Sequence, residues 1–242
     1  MRKETGLVVI LILISLLTPV FLGSSRSNSA NIQSIDMEGS GTEEDPYLIK
    51  DVHDLQNMNK NLSAHYQLAN DIDASETRNW NDRKGFEPIG DEKHPFTGTF
   101  NGSGFEINSL YINRPLSDYL GLFGCIGDGA EIKNVGIVDT DMSGNDKIGG
   151  IVGENNNSLV TNSFMQGEVN GDSWVGGLVG NNQGDVFDSH STGGVTGNSS
   201  YMGGLVGLNH RNISNSFATV VVNGRNIVGG LMGSNTGTVE NS

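Results

Sequence analysis

The sequence predicts an all-β chain that folds as a parallel β-solenoid with a short N-terminal capping helix. Glycine supplies 35 of the 242 residues, about twice its ordinary share of roughly 7%. Short apolar pairs recur at near-constant spacing between those glycines, and an amphipathic segment precedes them. Proline supplies only 5 residues, which excludes collagen and proline-rich linkers.

Residues 1–30 have the pattern of an export signal. Arg2 and Lys3 precede an uncharged apolar run over residues 7–22, and the small residues 23–25 follow it. A basic start, an apolar run and small residues are typical of a secretory signal peptide. The run is shorter than the ~20 residues of a full membrane span, so a cleaved signal is favoured and an uncleaved signal anchor is the alternative. We therefore expect an extracellular or cell-surface protein that touches a membrane only through this segment, if it is uncleaved.

Residues 31–118 are predicted to form an N-terminal cap and irregular first coils. A strand is expected at 47–49, followed by a helix over 51–62 with Asp51 as its N-cap. Apolar residues recur along that helix at helical spacing: Val52, Leu55, Met58 and Leu62. Such a helix would cover the apolar end and the strand edge of the first coil. Further extended pieces are expected at 66–68 with Ile72, 96–100 and 105–112, with a turn at 101–102 and an insertion loop over 73–93.

Residues 119–242 contain five copies of one short motif. The clearest copy is V-G-G-L-V-G at 175–180, and the closing glycines of the copies are 29, 27, 27 and 26 residues apart. Those closing glycines are Gly124, Gly153, Gly180, Gly207 and Gly233. Self-similarity at this period is the signature of a repeat architecture.

Each repeat is predicted to contribute about three extended pieces, for example 178–179, 186–191 and 194–196. None of them is long enough to be stable alone, so each must pair with its equivalent in the next repeat, ~4.8 Å away. Two apolar columns should result: Leu122, Ile151, Leu178, Leu205 and Leu231, and Phe123, Val152, Val179, Val206 and Met232. Asparagines after the closing glycines are expected to form an amide ladder: Asn155, Asn181, Asn209 and Asn235. Glycine would permit positive φ at tight corners and close packing of the backbone.

The motif resembles the GLUG repeat, named for Gly-Leu-any-Gly. Segments 121–124, 177–180, 204–207 and 230–233 match it, and 150–153 departs from it by carrying Ile for Leu. The structural positions of the repeat are Gly124, Gly153, Gly177, Leu178, Gly180, Gly204, Leu205, Gly207, Gly230, Leu231 and Gly233. The resemblance implies a right-handed β-helical coil in an exported bacterial or archaeal surface protein, sometimes beside the peptidase domain of immunoglobulin-A peptidases. It does not imply one activity.

The last residues, 240–242, match the middle of a repeat, and no lid follows them in the sequence. An open solenoid end is an aggregation hazard. The sequence therefore predicts a repeat region that is truncated at its C-terminus, with a partner covering the last coil as the alternative.

The net charge limits the classes of molecule that the chain could bind. The formal net charge is -14, which excludes nucleic acid because like charges repel.

Cys125 is the single cysteine, so no internal disulfide forms, and we expect it to act as a small buried apolar residue.

Catalytic motifs are absent from the sequence. Its five histidines form no H-E-x-x-H, and neither a phosphate-binding loop nor a G-x-S-x-G nucleophile elbow occurs. We therefore expect no enzyme activity and no cofactor from this chain.

A weak calcium candidate lies at Asp139, Asp141 and Ser143. Oxygen-bearing residues alternate there and Gly144 takes the sixth position, as in the start of a calcium loop. The twelfth position is Gly150, where such a loop needs a bidentate acid, so a polar turn of the solenoid is the alternative.

A second cluster consists of Asp185, Asp188 and His190. On one strand, Asp188 and His190 would share a face, and two carboxylates beside a sugar are the minimum for glycoside hydrolysis. Other repeats carry asparagine at the position of Asp188, so a solvated face is the alternative.

The sequence thus predicts an exported, adhesive β-solenoid module whose repeat turns bind a protein or glycan on a surface. Two alternatives stay open: a non-catalytic N-terminal part of a larger secreted peptidase, and a polysaccharide-active β-helix.

Overall fold

The computed structural model describes residues 37–242, which form a parallel β-solenoid of about 5 turns. The fold class predicted from the repeats is therefore confirmed. The predicted signal segment, 1–30, and the start of the predicted cap, 31–36, lie outside the described residues. No helix within 37–242 combines the length and apolar character that crossing a bilayer requires.

One short helix covers the N-terminal end of the core, as predicted. Strand β1 (Tyr47–Ile49) leads into α1 (Val52–Asn57), which tightens into a 3-10 turn at Met58–Lys60. The Asp51 carboxylate accepts hydrogen bonds from the backbone N–H groups of His53 and Asp54, each over 2.9 Å, and so caps the helix. The α-helix is shorter than the predicted 51–62 because the chain changes from α-helical to 3-10 hydrogen bonding at Met58.

The first coils are irregular, as predicted, but their strands are shorter. They contain β2 (His65–Leu68), β3 (Ile72–Asp73), β4 (Thr99–Asn101), β5 (Glu106–Asn108) and β6 (Tyr111–Asn113). Two 3-10 turns, Ser75–Asn79 and Asn81–Arg83, lie in the segment predicted as a loop. That segment also supplies Phe86 and Ile89 to the core, where both are fully buried. The piece expected at 105–112 is divided at Ser109, whose φ is 62°.

The regular coils contain four strands each where all are present, and not the three predicted. The first has β7 (Phe123–Ile126), β8 (Glu131–Lys133) and β9 (Gly136–Ser143). The second has β10 (Asp146–Gly149), β11 (Val152–Asn155), β12 (Leu159–Thr161) and β13 (Phe164–Gly171). The third has β14 (Ser173–Gly176), β15 (Val179–Asn182), β16 (Asp185–Phe187) and β17 (His190–Gly197). The fourth has β18 (Ser200–Gly203), β19 (Val206–Asn209), β20 (Asn212–Ser214) and β21 (Phe217–Asn223). The fifth has β22 (Asn226–Gly229), β23 (Met232–Asn235) and β24 (Thr238–Glu240).

Equivalent strands of successive coils pair in parallel and build four sheets. The long sheet has eight strands in the order β1-β2-β4-β8-β12-β16-β20-β24. A seven-stranded sheet follows the order β21-β17-β13-β9-β5-β3, with β6 beside β9. The five-stranded sheet has the order β23-β19-β15-β11-β7, and the four-stranded sheet has the order β10-β14-β18-β22.

Both predicted apolar columns are present. The Leu178 N–H donates to the Leu205 carbonyl over 2.9 Å, and Val152, Val179 and Val206 are directly paired in register. These five side chains are fully buried. Aligned apolar residues therefore form a core that runs along the axis and is only one coil wide, which explains how 35% hydrophobic content is sufficient.

The glycines of the motif serve close backbone packing and not positive φ. A Cβ on Gly180 would lie 2.6 Å from the backbone N of Ile148 and 2.7 Å from the carbonyl O of Gly153. The five- and four-stranded sheets therefore meet backbone to backbone, with no room for a side chain at that position. Non-glycine residues occupy the left-handed corners instead: Asn134, Asn162, Asp188, Asn215 and Asn241 at one, and Tyr119, Lys147, Trp174, Tyr201 and Ile227 at another.

The amide ladder exists, but one of its predicted members is wrong. Amide nitrogens donate to the amide oxygen of the next coil over 2.8, 2.7 and 2.8 Å. The ladder consists of Asn155, Asn182, Asn209 and Asn235. Asn181, the predicted member, pairs in register with Glu154, to which its amide donates over 3.0 Å. Side chains alternate along a strand, so only one of two adjacent asparagines can face the ladder.

Candidate binding surface

The outer face of the long sheet carries two columns of side chains. In β2 the side chains of Tyr66 and Leu68 are buried, and in each three-residue strand that follows, from β4 to β20, the central side chain is buried. The residues on either side of these buried positions point outward. The first column is His65, Thr99, Glu131, Leu159, Asp185, Asn212 and Thr238. The second is Gln67, Asn101, Lys133, Thr161, Phe187, Ser214 and Glu240.

Three depressions of about 110, 410 and 380 Å³ follow one another along this face. Thr99 and Glu131 line both the first and the second, and Phe187 lines both the second and the third. Shared lining residues show that the three depressions adjoin one another, and we call this row the long-sheet groove. It runs across the strands, parallel to the solenoid axis.

Turns form one wall of the groove. The largest of the three depressions is lined by Gly129, Asn157 and Gly184, which occupy the turns that precede β8, β12 and β16. The Asn157 amide donates to Asp128 over 3.1 Å, and the Arg211 guanidinium donates to the Asn157 side-chain oxygen over 3.3 Å. These bonds join turns of different coils, so the wall is held in place by contacts along the axis.

The groove is polar, with more acidic than basic groups. The Glu131 carboxylate pairs with the Lys133 ammonium over 2.6 Å, and each side chain is about 30% exposed. Asp185 accepts a hydrogen bond from the Asn212 amide over 2.9 Å. Two apolar side chains, Leu159 and Phe187, lie half-buried between these groups. The arrangement offers hydrogen-bond acceptors beside flat apolar surface.

The cluster predicted from Asp185, Asp188 and His190 is divided between two faces. Asp185 lines the long-sheet groove, whereas Asp188 lies at a left-handed corner with φ 50° and accepts from the Asn215 amide over 3.1 Å. His190 starts the next strand, β17, in the seven-stranded sheet. The expectation that Asp188 and His190 share one strand face is wrong, because the corner at Asp188 turns the chain.

His190 belongs to an aromatic stack on the seven-stranded sheet. Its ring lies parallel to Phe164 at 5.1 Å and to Phe217 at 4.8 Å, with interplanar angles of 8° and 5°. Burial between these rings lowers the pKa of the imidazole below its ordinary value. The stack therefore favours the neutral histidine.

The three calcium candidates lie on β9. Asp139 is exposed at a left-handed residue with φ 53°, where the pairing of β9 with β13 shifts by one residue. The Asp141 carboxylate binds the Arg78 guanidinium at 3.4 Å, so its charge is paired with a cation of the chain. Ser143 accepts a backbone hydrogen bond from Arg114. Nowhere in residues 37–242 do three or more His, Cys, Asp or Glu side chains group in a way that could hold a metal ion.

Cys125 is fully buried, in agreement with the predicted structural role. Burial, followed by the nearby Glu154 carboxylate, raises the pKa of its thiol to about 12. The thiol is therefore protonated and inaccessible at neutral pH, which argues against a reactive cysteine.

A buried ion pair joins the four- and five-stranded sheets. The Lys147 ammonium lies 2.8 Å from the Glu154 carboxylate, whose side chain is only 5% exposed. It also lies 4.6 Å from the centre of the Tyr119 ring. Burial opposes the charge on Lys147, but the hydrogen bond and the charge of Glu154 raise its pKa above the ordinary value. Sequence reasoning missed this pair because only one repeat carries it.

The groove was also missed by sequence reasoning, although a signal for it exists. Each repeat carries a triplet of one apolar residue between two side chains of mixed character, as in L-V-T at 159–161 and D-V-F at 185–187. Aligning these triplets would have revealed both columns. It would not have revealed the depth of the groove, which depends on how the turns project.

The described residues define a class of protein: a parallel β-solenoid in which irregular first coils are followed by regular coils, with a row of adjoining depressions on one face. No family model matches the chain. It is 37% identical over 136 residues to halomucin of Haloquadratum walsbyi, which covers 52% of this chain and 2% of halomucin. It is 33% identical over 138 residues to a candidate Gly-rich membrane protein of Evansella cellulosilytica, which covers 56% of this chain and 15% of that protein. The chain thus spans a small part of each relative's length.

A solved structure shares the fold. A candidate immunoglobulin A1 protease from Bacteroides ovatus superposes with a TM-score of 0.62, over 84% of this chain and 76% of that one. Sequence identity is 20%, so the likeness shows the β-helical fold alone. The names of the two curated relatives are consistent with a cell-surface module.

Proposed function

We propose that this protein is an exported, non-enzymatic β-solenoid module of GLUG type that binds a glycan or protein ligand on a surface. The observation that carries the proposal is the long-sheet groove, which crosses strands of the first coils and of the regular coils. A groove on stacked strands is rigid, because each strand's backbone hydrogen bonds are made by its neighbours. Rigid placement of side chains lowers the entropic cost of binding.

Features that favour a location at the cell surface support the same proposal. The sequence has an export-signal pattern, a net charge of -14 and relatives named halomucin and Gly-rich membrane protein. Acidic surfaces keep a protein soluble and limit binding to nucleic acid. The proposed ligand is therefore a surface glycan or protein, with no nucleic acid and with membrane contact only through the N-terminal segment.

Adherence of the purified full chain tests this function. The chain is fluorescently labelled and incubated with whole cells and with immobilised cell-wall fractions, beside an unrelated β-solenoid of similar size and charge. Retention clearly above that control is expected. Retention equal to the control on every surface would contradict a binding role.

One further candidate is a non-catalytic part of a secreted peptidase, favoured by the fold shared with the Bacteroides ovatus protein. Its test is the reading frame beyond the codon for Ser242, together with incubation of the chain with immunoglobulin A1. A downstream H-E-x-x-H would support this candidate. Cleavage by the chain itself would overturn the non-enzymatic assignment.

A further inference from the structure

We infer that the long-sheet groove binds a neutral, extended, β-linked polysaccharide laid along the solenoid axis. This inference rests on the proposed surface-binding function and names its ligand class. Three properties of the groove carry it: its length, the spacing of its side chains and its charge.

The length of the groove indicates a polymer. The depressions extend from strand β2, which carries His65, to strand β24, which carries Glu240, without a break in the lining. These strands are the second and the last of the eight in the long sheet. Six strand spacings of ~4.8 Å give a groove of about 29 Å, which is too long for a monosaccharide or another small molecule.

The spacing of the side chains favours a glycan over a peptide. Along each column, a side chain recurs once per strand, at about 4.8 Å. An extended β-linked pyranose chain advances by slightly more than that distance per sugar and turns over at each sugar, so each sugar would lie beside one strand and every second sugar would present the same edge to the groove. An extended peptide advances about 3.3 Å per residue, so its side chains would lose register after two or three strands.

The chemistry of the lining matches sugars as well. Carboxylate oxygens, as on Glu131 and Asp185, accept hydrogen bonds from hydroxyl groups. Phe187 lies at the junction of the two larger depressions and offers a ring face for the C–H side of a pyranose. Polar groups that orient a ligand beside an apolar platform are typical of ligand-binding clefts.

The charge of the lining disfavours an anionic polymer. Four carboxylates line the groove, on Glu43, Glu131, Asp185 and Glu240, against the single ammonium of Lys133. Lys133 is already paired with Glu131. An anionic polysaccharide such as a polyuronate would therefore be repelled both by the groove and by the net charge of -14.

A larger depression of about 610 Å³ beside the cap does not carry the same inference. Asn59 crosses it, donating to the Pro88 carbonyl over 3.2 Å and accepting from the Gly90 N–H over 3.0 Å. Its polar groups are thus used to hold the segment 87–90 against the helix. It also lies at one end of the molecule and does not repeat from coil to coil.

The test is equilibrium binding of the purified full chain to defined polymers. The probes are cellohexaose as the neutral extended glycan, dextran as a neutral non-extended glycan, polygalacturonate as an anionic glycan and polylysine as a basic peptide. We expect binding of cellohexaose, with weaker binding of dextran and no binding of polygalacturonate. Absence of cellohexaose binding, or binding of polylysine alone, would overturn the inference.

Two variants locate the site. Phe187→Ala removes the apolar platform and should weaken cellohexaose binding about tenfold. Thr192→Ala, on the outer face of the neighbouring seven-stranded sheet, is the matched control and should leave the affinity unchanged. Equal melting temperatures of the parent and Phe187→Ala exclude misfolding as the cause of weaker binding. If Phe187→Ala melts at a lower temperature, Phe187→Tyr replaces it as the test: this variant keeps the ring and should bind cellohexaose like the parent. Unchanged affinity in Phe187→Ala would exclude this groove as the site.

Cell adherence separates this inference from the proposed function. If the parent chain adheres to cells but does not bind cellohexaose, the surface function stands and the ligand class is wrong. If it shows neither property, both are wrong. Release of new reducing ends from cellohexaose would instead identify a glycosidase and overturn a purely binding role.

Discussion

The Asn182 amide donates a hydrogen bond to the amide oxygen of Asn209 over 2.7 Å, and both side chains are fully buried. Asn182 also accepts from Asn155 and donates to the Gly184 carbonyl. Each rung of this ladder therefore satisfies polar groups in its own coil and in both neighbours. Removal of one rung leaves buried polar groups without partners on two sides.

Replacement of that rung should be costly. We expect Asn182→Ala to lower the free energy of unfolding by about 2–4 kcal/mol, since each buried polar group left unsatisfied costs about 1–3 kcal/mol. Urea denaturation measures the loss. Asn198→Ala, at an exposed turn of the same repeat, is the control and should change little. A result for Asn182→Ala that matches the control would show that the ladder adds no stability.

Glycines at one motif position should differ in their tolerance of a methyl group. A Cβ on Gly204 would lie 2.0 Å from the Gly230 carbonyl O, whereas a Cβ on Gly230 meets no atom within 4 Å. Gly204→Ala should therefore destabilise the fold by at least 1–3 kcal/mol, as overpacking does, and Gly230→Ala should be close to neutral. Thermal melts of the two variants test this directly. Equal losses would mean that the cost arises elsewhere than in the backbone contact.

The buried ion pair should show strong coupling between its members. Lys147→Met leaves the Glu154 carboxylate buried without its cation, at an expected cost of about 2–3 kcal/mol, discounted because 21% of the Lys147 side chain is exposed. The double variant Lys147→Met with Glu154→Gln should recover most of that loss, because no buried charge then remains and the amide oxygen of the introduced glutamine can still accept from Asn181. A double-mutant cycle from urea denaturation gives the coupling. Additive losses would indicate that the two charges do not interact.

Acid should weaken the fold through His190. Its folded-state pKa is lowered by burial below 6.5, so the unfolded chain binds the proton more readily. The contribution of neutral His190 is complete above about pH 6.5 and is lost as the pH falls below it. We expect the melting temperature to fall between pH 7 and pH 5 through this group.

His190→Phe should abolish that drop and keep the stack with Phe164 and Phe217. His210→Gln, at an exposed turn, serves as the control and should retain the drop. Calorimetry across the pH range distinguishes the two variants. Persistence of the drop in His190→Phe would assign it to another group.

Local and periodic signals in the sequence were enough to predict the solenoid, the two apolar columns and the cap. Each depends on a local or strictly periodic signal: the motif spacing of 26 to 29 residues, and Asp51 before an amphipathic segment. Stacking follows from such a period because no single repeat can bury its own apolar residues. Helix capping follows from Asp51 because its side chain bonds to the next backbone N–H groups.

Tertiary structure decided which side chains face one another. Periodicity cannot distinguish Asn181 from Asn182, since a shift of one residue along a strand reverses the face. It also cannot show that the corner at Asp188 separates that residue from His190, or that Lys147 reaches Glu154. The long-sheet groove is a feature of the same kind. Leu159 and Phe187 line it together only because a coil of 26 residues places β16 beside β12 in parallel register.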